Sequence, residues 1–147
     1  MILRRARAGD VPAMHDIVER AYGGYVERIG RRPAPMDDDY AERIRTARVF
    51  VADDDGVVGL IVLVGTPDHV LIENVAVHPD RQRAGIGRAL LCLAEDYAAE
   101  LGLDRLRLYT NVVMVENIRL YTRLGYEEDG RHISSSFERV YMSKRLG

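Results

Sequence analysis

Apolar residues recur along the chain with two different periods, which predict an alternation of strands and helices. Apolar positions three or four residues apart are typical of amphipathic helices, whereas alternating or continuous apolar runs are typical of strands. Helices are predicted at residues 11–22, 40–47, 87–101 and 116–124, and strands at residues 2–6, 49–52, 57–64, 70–77, 106–110 and 137–144. This order predicts a mixed α/β domain with an antiparallel meander, a strand-helix-strand-helix unit and a closing strand.

Turn residues separate these elements. Asp53-Asp54-Asp55-Gly56 predicts a hairpin, and Gly59 predicts a bulge in the strand that follows. Residues 25–36 contain Gly30, Pro33 and Pro35, which predict a loop between two helices.

The run from Val70 to Val77 differs from the other strands. Apolar residues occupy both of its alternating faces, as expected of a strand in the middle of a sheet that is covered on both sides. Its only polar members are Glu73 and Asn74. A carboxylate in such a strand needs a partner or a chemical task.

Length and composition fit one domain that spans residues 1–147. The formal net charge is -2 with acidic and basic residues interleaved, so neither nucleic acid nor an anionic membrane is expected as a partner. No apolar run approaches the roughly 18 residues of a membrane span, and the N-terminus lacks a secretion signal, so a cytoplasmic location is expected. All but one of the 21 lysine and arginine residues are arginine, which suggests a GC-rich bacterial genome.

The chain offers little for metal or redox chemistry. Cys92 is the only cysteine, so an intramolecular disulfide is excluded, and the histidines lack the paired spacing of metal ligands. The acidic run Asp37-Asp38-Asp39 lacks the glycine and glutamate of a calcium loop. We expect no metal, and the acidic run is either a solvated helix start or an attractor for a cationic acceptor.

The segment from Gln82 to Gly87 lies between a buried strand and a helix, where free backbone N–H groups and the helix dipole favour an anion. Gly85 and Gly87 allow an oxygen to approach the backbone closely. Three arginines supply forked donors suited to a polyphosphate: Arg81, Arg83 and Arg88. An ordinary tight turn with solvated arginines is the alternative. The segment lacks the signatures of ATP- and NAD-binding loops.

Gln82, Gly85 and Gly87 resemble the central motif of the GNAT superfamily of acyl-CoA N-acyltransferases. That motif is a strand followed by Gln or Arg, two residues, Gly, one residue, and Gly or Ala. A second motif of the superfamily is matched further along by Asn117-Ile118-Arg119-Leu120-Tyr121-Thr122-Arg123-Leu124-Gly125-Tyr126. The resemblance implies a single-domain, mixed, mostly antiparallel sheet of about six to seven strands with about four flanking helices and a splay between the fourth and fifth strands.

The resemblance also implies acetyl-CoA as co-substrate. Its pantetheine arm would lie in the splay and pair with the fourth strand, and its pyrophosphate would bind N–H groups at the start of the following helix. The implied cofactor-binding residues are Val75, Ala76, Val77, Gln82, Arg83, Ala84, Gly85, Ile86, Gly87, Arg88, Asn117 and Tyr121. Asn117 could instead hydrogen-bond the start of its own helix.

Glu73 is the candidate base. A lysine-like amine has a pKa near 10.4, so it must lose a proton before it attacks a thioester at neutral pH. Glu73 lies next to the expected thioester site, where burial would raise its pKa. Polyamine acetyltransferases of the superfamily are similar at this position. The alternative is a structural ion pair, for example with Arg107 on the neighbouring strand.

Tyr121 is the candidate acid, because the resemblance implies that it protonates the departing thiolate. It lies one helical turn after Asn117 on the same face. A phenol near pKa 10 is a weaker acid than a thiol near 8.5, so complete transfer is uphill by about 2 kcal/mol. Tyr121 could therefore donate only a hydrogen bond, and packing is a third alternative.

These features predict an N-acetyltransferase that transfers acetyl directly from acetyl-CoA to a primary amine of a small molecule or protein in a sequential mechanism. Tyr22, Tyr25 and Met36 are candidate acceptor contacts, because their segment covers the acceptor side in relatives. The alternative function is a non-catalytic acyl-CoA sensor or partner-interaction module. The resemblance also allows a homodimer, and nothing in the composition selects the acceptor.

Overall fold

In the computed structural model, which describes residues 1–147, one sheet of seven strands runs through the molecule. The strands are β1 (Ile2–Arg5), β2 (Arg48–Asp53), β3 (Val57–Gly65), β4 (Val70–Val77), β5 (Arg105–Asn111), β6 (Glu127–Ser134) and β7 (Phe137–Arg145). Their order across the sheet is β1-β2-β3-β4-β5-β7-β6. Every neighbouring pair is antiparallel except β4 and β5, which are parallel. The expected mixed, mostly antiparallel sheet is confirmed.

Helices cover both faces of this sheet. They are α1 (Val11–Tyr22), α2 (Val26–Ile29), α3 (Tyr40–Thr46), α4 (Ile86–Glu100) and α5 (Val115–Arg123). Leu90 of α4 belongs to one core cluster, which we call the α4-side core, and Met14 of α1 and Tyr40 of α3 belong to the other, the α1-side core. Cover on both faces explains the apolar runs of β3 and β4. None of the helices has the length and apolar composition that crossing a membrane requires.

A β-bulge interrupts β4 at Glu73. Two ladder pairs between β3 and β4 flank it: Leu63 with Ile72, and Val62 with Asn74. Glu73 lies between these pairs and has no partner on β3. An extra residue reverses which face the following side chains occupy, so Ile72 packs in the α4-side core and Ala76 packs in the α1-side core.

β4 and β5 separate beyond Ile72. Their pairing includes only residues 70–72 of β4, although β4 continues to Val77 and β5 continues to Asn111. The expected splay between the fourth and fifth strands is thereby confirmed. It leaves an open gap beside residues 73–77.

β6 is the strand that the hydrophobic pattern did not predict. Its sequence is almost entirely polar, and its side chains are exposed or half-buried. It lies at the edge of the sheet with β7 as its only neighbour, so neither face demands apolar residues. The expected loop at residues 25–36 also differs, because it contains α2, which ends at Ile29 and is capped by Gly30 with φ of 90°.

The bulge predicted at Gly59 lies one residue earlier, where the register shift leaves Val58 without a partner on β2. Gly59 is instead required by the close packing of α4 on the sheet. A Cβ there would lie 3.1 Å from Ile86 Cγ2 and 3.3 Å from the Ala76 carbonyl oxygen. Glycine therefore allows the first turn of α4 to approach the sheet closely.

Candidate active site

A cavity of about 320 Å³ opens where β4 and β5 separate. Its walls come from the splayed parts of these strands, from β7, from the α5 region and from residues 33–38 between α2 and α3. Glu73 and Val75 line the β4 side, while Asn117 and Tyr121 enter from α5. The splay thus brings together candidate residues from two distant segments of the chain.

Glu73 faces this cavity from the bulge. Its side chain is 21% exposed, and its Oε2 is buried without a hydrogen-bond partner. The nearest cation is Arg43 of α3, whose Nη1 lies 3.4 Å from that oxygen. Burial raises the pKa of Glu73, and Arg43 opposes the rise by favouring the ionised form. Glu73 is therefore a carboxyl group with a raised pKa, and its Oε2 forms an ion pair but accepts no hydrogen bond.

Arg43, rather than the expected Arg107, is the ionic partner of Glu73. Arg107 lies beside Leu71 in the paired part of the β4–β5 ladder, before the strands separate. Arg43 also donates from Nε to both carboxylate oxygens of Asp38, at 3.2 and 3.3 Å. One guanidinium therefore serves two carboxylates, and the like charge of Asp38 adds to the rise in the pKa of Glu73.

Asn74 anchors a buried chain of hydrogen bonds behind Glu73. Its side chain accepts a hydrogen bond from the Tyr22 hydroxyl at 2.7 Å and donates one to the Tyr40 hydroxyl at 2.9 Å. Tyr40 donates in turn to the carbonyl of Pro35 at 2.6 Å. The chain joins β4 to α1, α3 and the segment over the cavity. Because each buried polar group has a partner, the network holds this wall in one arrangement.

Tyr121 is 7% exposed, and its ring packs edge-on against Tyr126 at 5.7 Å between centroids. Its hydroxyl makes no hydrogen bond within the chain. Burial raises the pKa of Tyr121, so the hydroxyl stays protonated near neutral pH and can donate. Asn117 lines the same cavity, and its side chain makes no hydrogen bond to the start of its helix. Both polar groups are therefore available to a ligand in the cavity.

The turn between β4 and α4 exposes backbone donors. Arg83 and Gly85 have positive φ values of 71° and 82°, and α4 starts immediately afterwards. The first hydrogen bond of α4 runs from the Ala89 N–H to the Gly85 carbonyl. Three backbone N–H groups consequently lack a helical acceptor: those of Ile86, Gly87 and Arg88. Together with the helix dipole they form a site that suits an anion.

The arginines around this turn differ in their freedom. Arg81 is held by Asp54, with Nη1 2.6 Å from Oδ2. Arg83 and Arg88 form no ion pair with the chain. Two of the three guanidinium groups are thus free to meet a phosphate.

Val75 and Val77 direct their backbone polar groups toward the open edge of β4. On the β3 side, the His78 N–H bonds the Val58 carbonyl at 2.8 Å, and directions alternate along an antiparallel strand. The Val77 carbonyl accordingly accepts from Gln82 Nε2 at 3.3 Å. Ala76, also expected at the cofactor, lies opposite Leu60 in the β3 ladder and packs in the α1-side core. Its backbone therefore does not face the gap.

Of the three candidate acceptor contacts, only Tyr22 lines the cavity. The Tyr25 hydroxyl donates to Glu116 at 3.1 Å, which attaches the turn before α2 to the first turn of α5. Met36 is buried in the α1-side core. The segment is irregular, so no periodicity separates its core-facing side chains from those that face the cavity.

The cavity lining also contains residues that the sequence did not indicate, among them Arg43, Tyr109 and Arg139. A signal existed for Tyr109, which alternates with the buried Leu108 and Thr110 and so must face away from α4. Arg43 and Arg139 carry no such signal. They approach the cavity only because the fold brings α3 and β7 to it.

A family model described as the acetyltransferase (GNAT) family matches residues 11–126. The matched span contains both motifs, the bulge and the splayed strands. The chain belongs to the GNAT acetyltransferase family.

Curated relatives of this GNAT chain are N-acetyltransferases that match it over part of their length. The probable N-acetyltransferase 14 of Xenopus tropicalis is 36% identical over 84 residues, which cover 56% of this chain and 41% of that protein. The uncharacterized N-acetyltransferase YvbK of Bacillus subtilis is 31% identical over 90 residues, 60% of this chain and 57% of that protein. The ribosomal protein bS18-alanine N-acetyltransferase of Escherichia coli K12 is 39% identical over 61 residues, 42% of this chain and 41% of that protein. The chain thus spans less than two thirds of each of these relatives.

Solved structures share the whole fold. A GCN5-related N-acetyltransferase from Rhodopseudomonas palustris superposes with a TM-score of 0.82 at 21% identity, over 99% of this chain and 95% of the other. The PaiA N-acetyltransferase from Thermoplasma acidophilum, solved in complex with coenzyme A, gives a TM-score of 0.82 at 15% identity, over 99% and 98%. At these identities the likeness establishes the GNAT fold.

Proposed function

We propose that this chain transfers an acetyl group directly from acetyl-CoA to a primary amine. The observation that carries the proposal is the convergence on one cavity of a carboxyl group with a raised pKa, Glu73, and a protonated phenol, Tyr121. Membership of the GNAT family supports the same reaction class. A module that only sensed acyl-CoA would need neither side chain in this place.

The residues present fit a coenzyme A thioester. The free N–H groups at residues 86–88 suit its pyrophosphate. The backbone N–H groups of Val75 and Val77, which point away from β3, suit the carbonyl oxygens of its pantetheine arm, while their carbonyl groups accept from Tyr22 and Gln82. The coenzyme A complex of the T. acidophilum neighbour supports this assignment. Acetyl-CoA, when bound, would supply an activated acyl carbon and a thiolate leaving group.

Glu73 would take the proton of the attacking amine, directly or through one water. Deprotonating a lysine-like amine at pH 7 costs roughly 4 to 5 kcal/mol, so a proton acceptor near the nitrogen lowers the barrier. The raised pKa of Glu73 makes it a stronger base than an ordinary glutamate. Arg43 opposes that rise by favouring the ionised carboxylate, which is the form that accepts a proton.

Tyr121 would stabilise the departing sulfur by donating a hydrogen bond. Burial raises its pKa further above that of a thiol, which makes complete proton transfer still less favourable. A positioned hydrogen-bond donor requires no such transfer, because it acts on the charge that develops in the transition state.

The composition of the cavity supports direct transfer. Its lining contains no cysteine or serine, and Cys92 is exposed on α4 away from it. Thr110 does line the cavity, but it is buried and its hydroxyl donates to Met114 Sδ at 3.7 Å, with no base beside it to activate it. A sequential mechanism, with both substrates bound together, is consistent with this arrangement.

The test is amine-dependent thiol release from acetyl-CoA, measured at varied concentrations of both substrates. Intersecting double-reciprocal lines are expected, and parallel lines would contradict direct transfer. Glu73→Gln is expected to lower kcat by about 100-fold or more. Glu100→Gln makes the same charge change at the exposed end of α4 and serves as the matched control. Coenzyme A binding without thiol release by any amine would favour the sensor function instead.

A further inference from the structure

Arg139 is a guanidinium in the cavity wall without an ionic partner in the chain. It lies on β7, forms no salt bridge, and makes one side-chain hydrogen bond, from Nη1 to Ser134 Oγ at 3.2 Å. A guanidinium carries five N–H donors, so most of its capacity is unused. Tyr109 and Phe137 hold its plane, with ring centroids 4.4 and 5.4 Å from Cζ. The group is half-buried, oriented and free to bind an anion.

The opposite end of the cavity has the opposite charge. There Arg43 is shared by Asp38 and Glu73, so two carboxylates face one guanidinium. Tyr109 lies between Glu73 and Arg139, because β5 separates β4 from β7 in the sheet and the Tyr109 ring centroid is 4.4 Å from Arg139 Cζ. The cavity is therefore dipolar, with excess negative charge beside Glu73 and unpaired positive charge at Arg139.

Coenzyme A phosphates do not account for Arg139. The free N–H groups that suit them belong to residues 86–88, and none of the residues from Gln82 to Arg88 lines the cavity. Arg139 instead lies opposite Asn111 in the β5–β7 ladder, on the face of the sheet turned away from α4. An anion bound there would belong to the acceptor.

The cavity is also covered at this end. Arg31 Cζ lies 3.6 Å from the Phe137 ring centroid, and Arg31 Nη2 donates to the Ser135 carbonyl at 2.7 Å. These contacts attach the segment after α2 to the β6–β7 turn. Pro33 and Pro35 of that segment line the cavity. A volume of about 320 Å³ is at the small end for ligand sites, and the thioester must share it. The space suits a small acceptor.

We infer that the acceptor is a small zwitterionic amine, an amino acid whose amine lies at Glu73 and whose carboxylate binds Arg139. This inference rests on the proposed function. The ammonium first gives one proton to Glu73. The neutral nitrogen then attacks the thioester carbon and forms the amide C–N bond as the C–S bond breaks, the electron pair leaves with the sulfur, and the second nitrogen proton passes to the thiolate through solvent to give the thiol. A diamine is disfavoured because its second ammonium would meet Arg139, whereas a carboxylate matches the guanidinium fork.

The experiment compares matched acceptors in the thiol-release assay. Common L-amino acids and ω-amino acids with one to six methylenes are paired with their carboxamides, which remove the negative charge at nearly constant size, and diamines form a third series. The best amino acid is expected to exceed its carboxamide in kcat/KM by about 10- to 100-fold. The preferred chain length reports the distance from the amine site to Arg139.

Substitutions at Arg139 test whether this residue binds the carboxylate of the acceptor. Arg139→Gln is expected to bring the ratio of kcat/KM for acid over carboxamide close to one, and Arg139→Lys to retain part of it. Arg145→Gln makes the same charge change at the exposed end of β7 and should leave the ratio as in the wild type. Preference for carboxamides or diamines, or an unchanged ratio in Arg139→Gln, would overturn the inference while leaving acetyl transfer intact. If no member of the three series releases thiol, the inference is overturned. If peptides with free N-terminal and lysine amines also release none, the proposed function is overturned as well.

Discussion

Replacing Arg43 by glutamine is expected to shift the acid limb of the pH–rate profile to higher pH. Arg43 Nη1 lies 3.4 Å from Glu73 Oε2, and two unit charges at that distance interact by about 5 kcal/mol at an effective dielectric constant of about 20. Arg43 is 34% exposed and shared with Asp38, so solvent and the second carboxylate reduce this attraction. A residual attraction of about 1.5 to 3 kcal/mol favours the ionised form of Glu73, so the loss of Arg43 should raise the pKa of Glu73 further.

The sign follows from the role of Glu73. A base must be ionised, so the rate falls as pH drops through its pKa, and a higher pKa moves that fall to higher pH. Arg43→Gln should therefore lose about 10- to 100-fold in kcat/KM on the acid side and approach the wild type on the alkaline side. The measurement is kcat/KM from thiol release between about pH 5 and 9. Dividing variant by wild type at each pH cancels the ionisation of the acceptor itself.

Asp38→Asn supplies a control of opposite sign. It removes a like charge that raises the pKa of Glu73, so the acid limb should move to lower pH. The two neighbours of Glu73 are thus expected to displace one profile in opposite directions. A uniform loss at every pH in both variants, with the limb unmoved, would refute the assignment of Glu73 as the titrating base.

Three further substitutions test other parts of the site and its support. Tyr121→Phe should lower kcat by about 100-fold with little change in the KM for acetyl-CoA. Tyr126→Phe removes a buried hydroxyl without a partner and should raise the free energy of unfolding by about 1 kcal/mol in urea titrations. Equal kinetic effects of the two variants would contradict the role of Tyr121 as hydrogen-bond donor. Gly85→Ala and Gly102→Ala each place alanine at a positive φ, 82° and 71°, and should each lower the free energy of unfolding by about 1 kcal/mol. Only Gly85→Ala should also weaken coenzyme A binding in calorimetry. Asn74→Leu removes a hydrogen-bond partner from the Tyr22 and Tyr40 hydroxyls and should lower the free energy of unfolding by about 2 to 4 kcal/mol, measured by thermal unfolding. A loss below about 1 kcal/mol would mean that water replaces the amide.

The elements that could be predicted are those with a buried face. β4 and α4 carry their apolar pattern because each packs against a core cluster, and the turn between them combines glycines with free N–H groups inside one short segment. β6 could not be predicted, because an edge strand exposed to solvent needs no apolar alternation. The order of the last two strands, with β7 inserted between β5 and β6, likewise has no local signal.

The site residues follow the same rule, because local periodicity predicts some of them and only the tertiary structure places the others. Asn117 and Tyr121 could be placed together because one helical turn separates them, whereas the partner of Glu73 comes from a helix that is distant in the chain. Arg43 and the expected Arg107 have the same charge and the same hydrogen-bonding groups. Only the point at which β4 and β5 stop pairing decides between them.

The bulge at Glu73 separates chemistry from packing. Residue 73 has no ladder partner on β3, and its side chain is buried against the cavity wall rather than between the sheet and the helices that cover it. An exchange at this position alters proton affinity inside the cavity without requiring compensation among the apolar residues on either face. The fold thus keeps one position of its central strand open to change, and a new reaction preference can arise there without loss of the sheet.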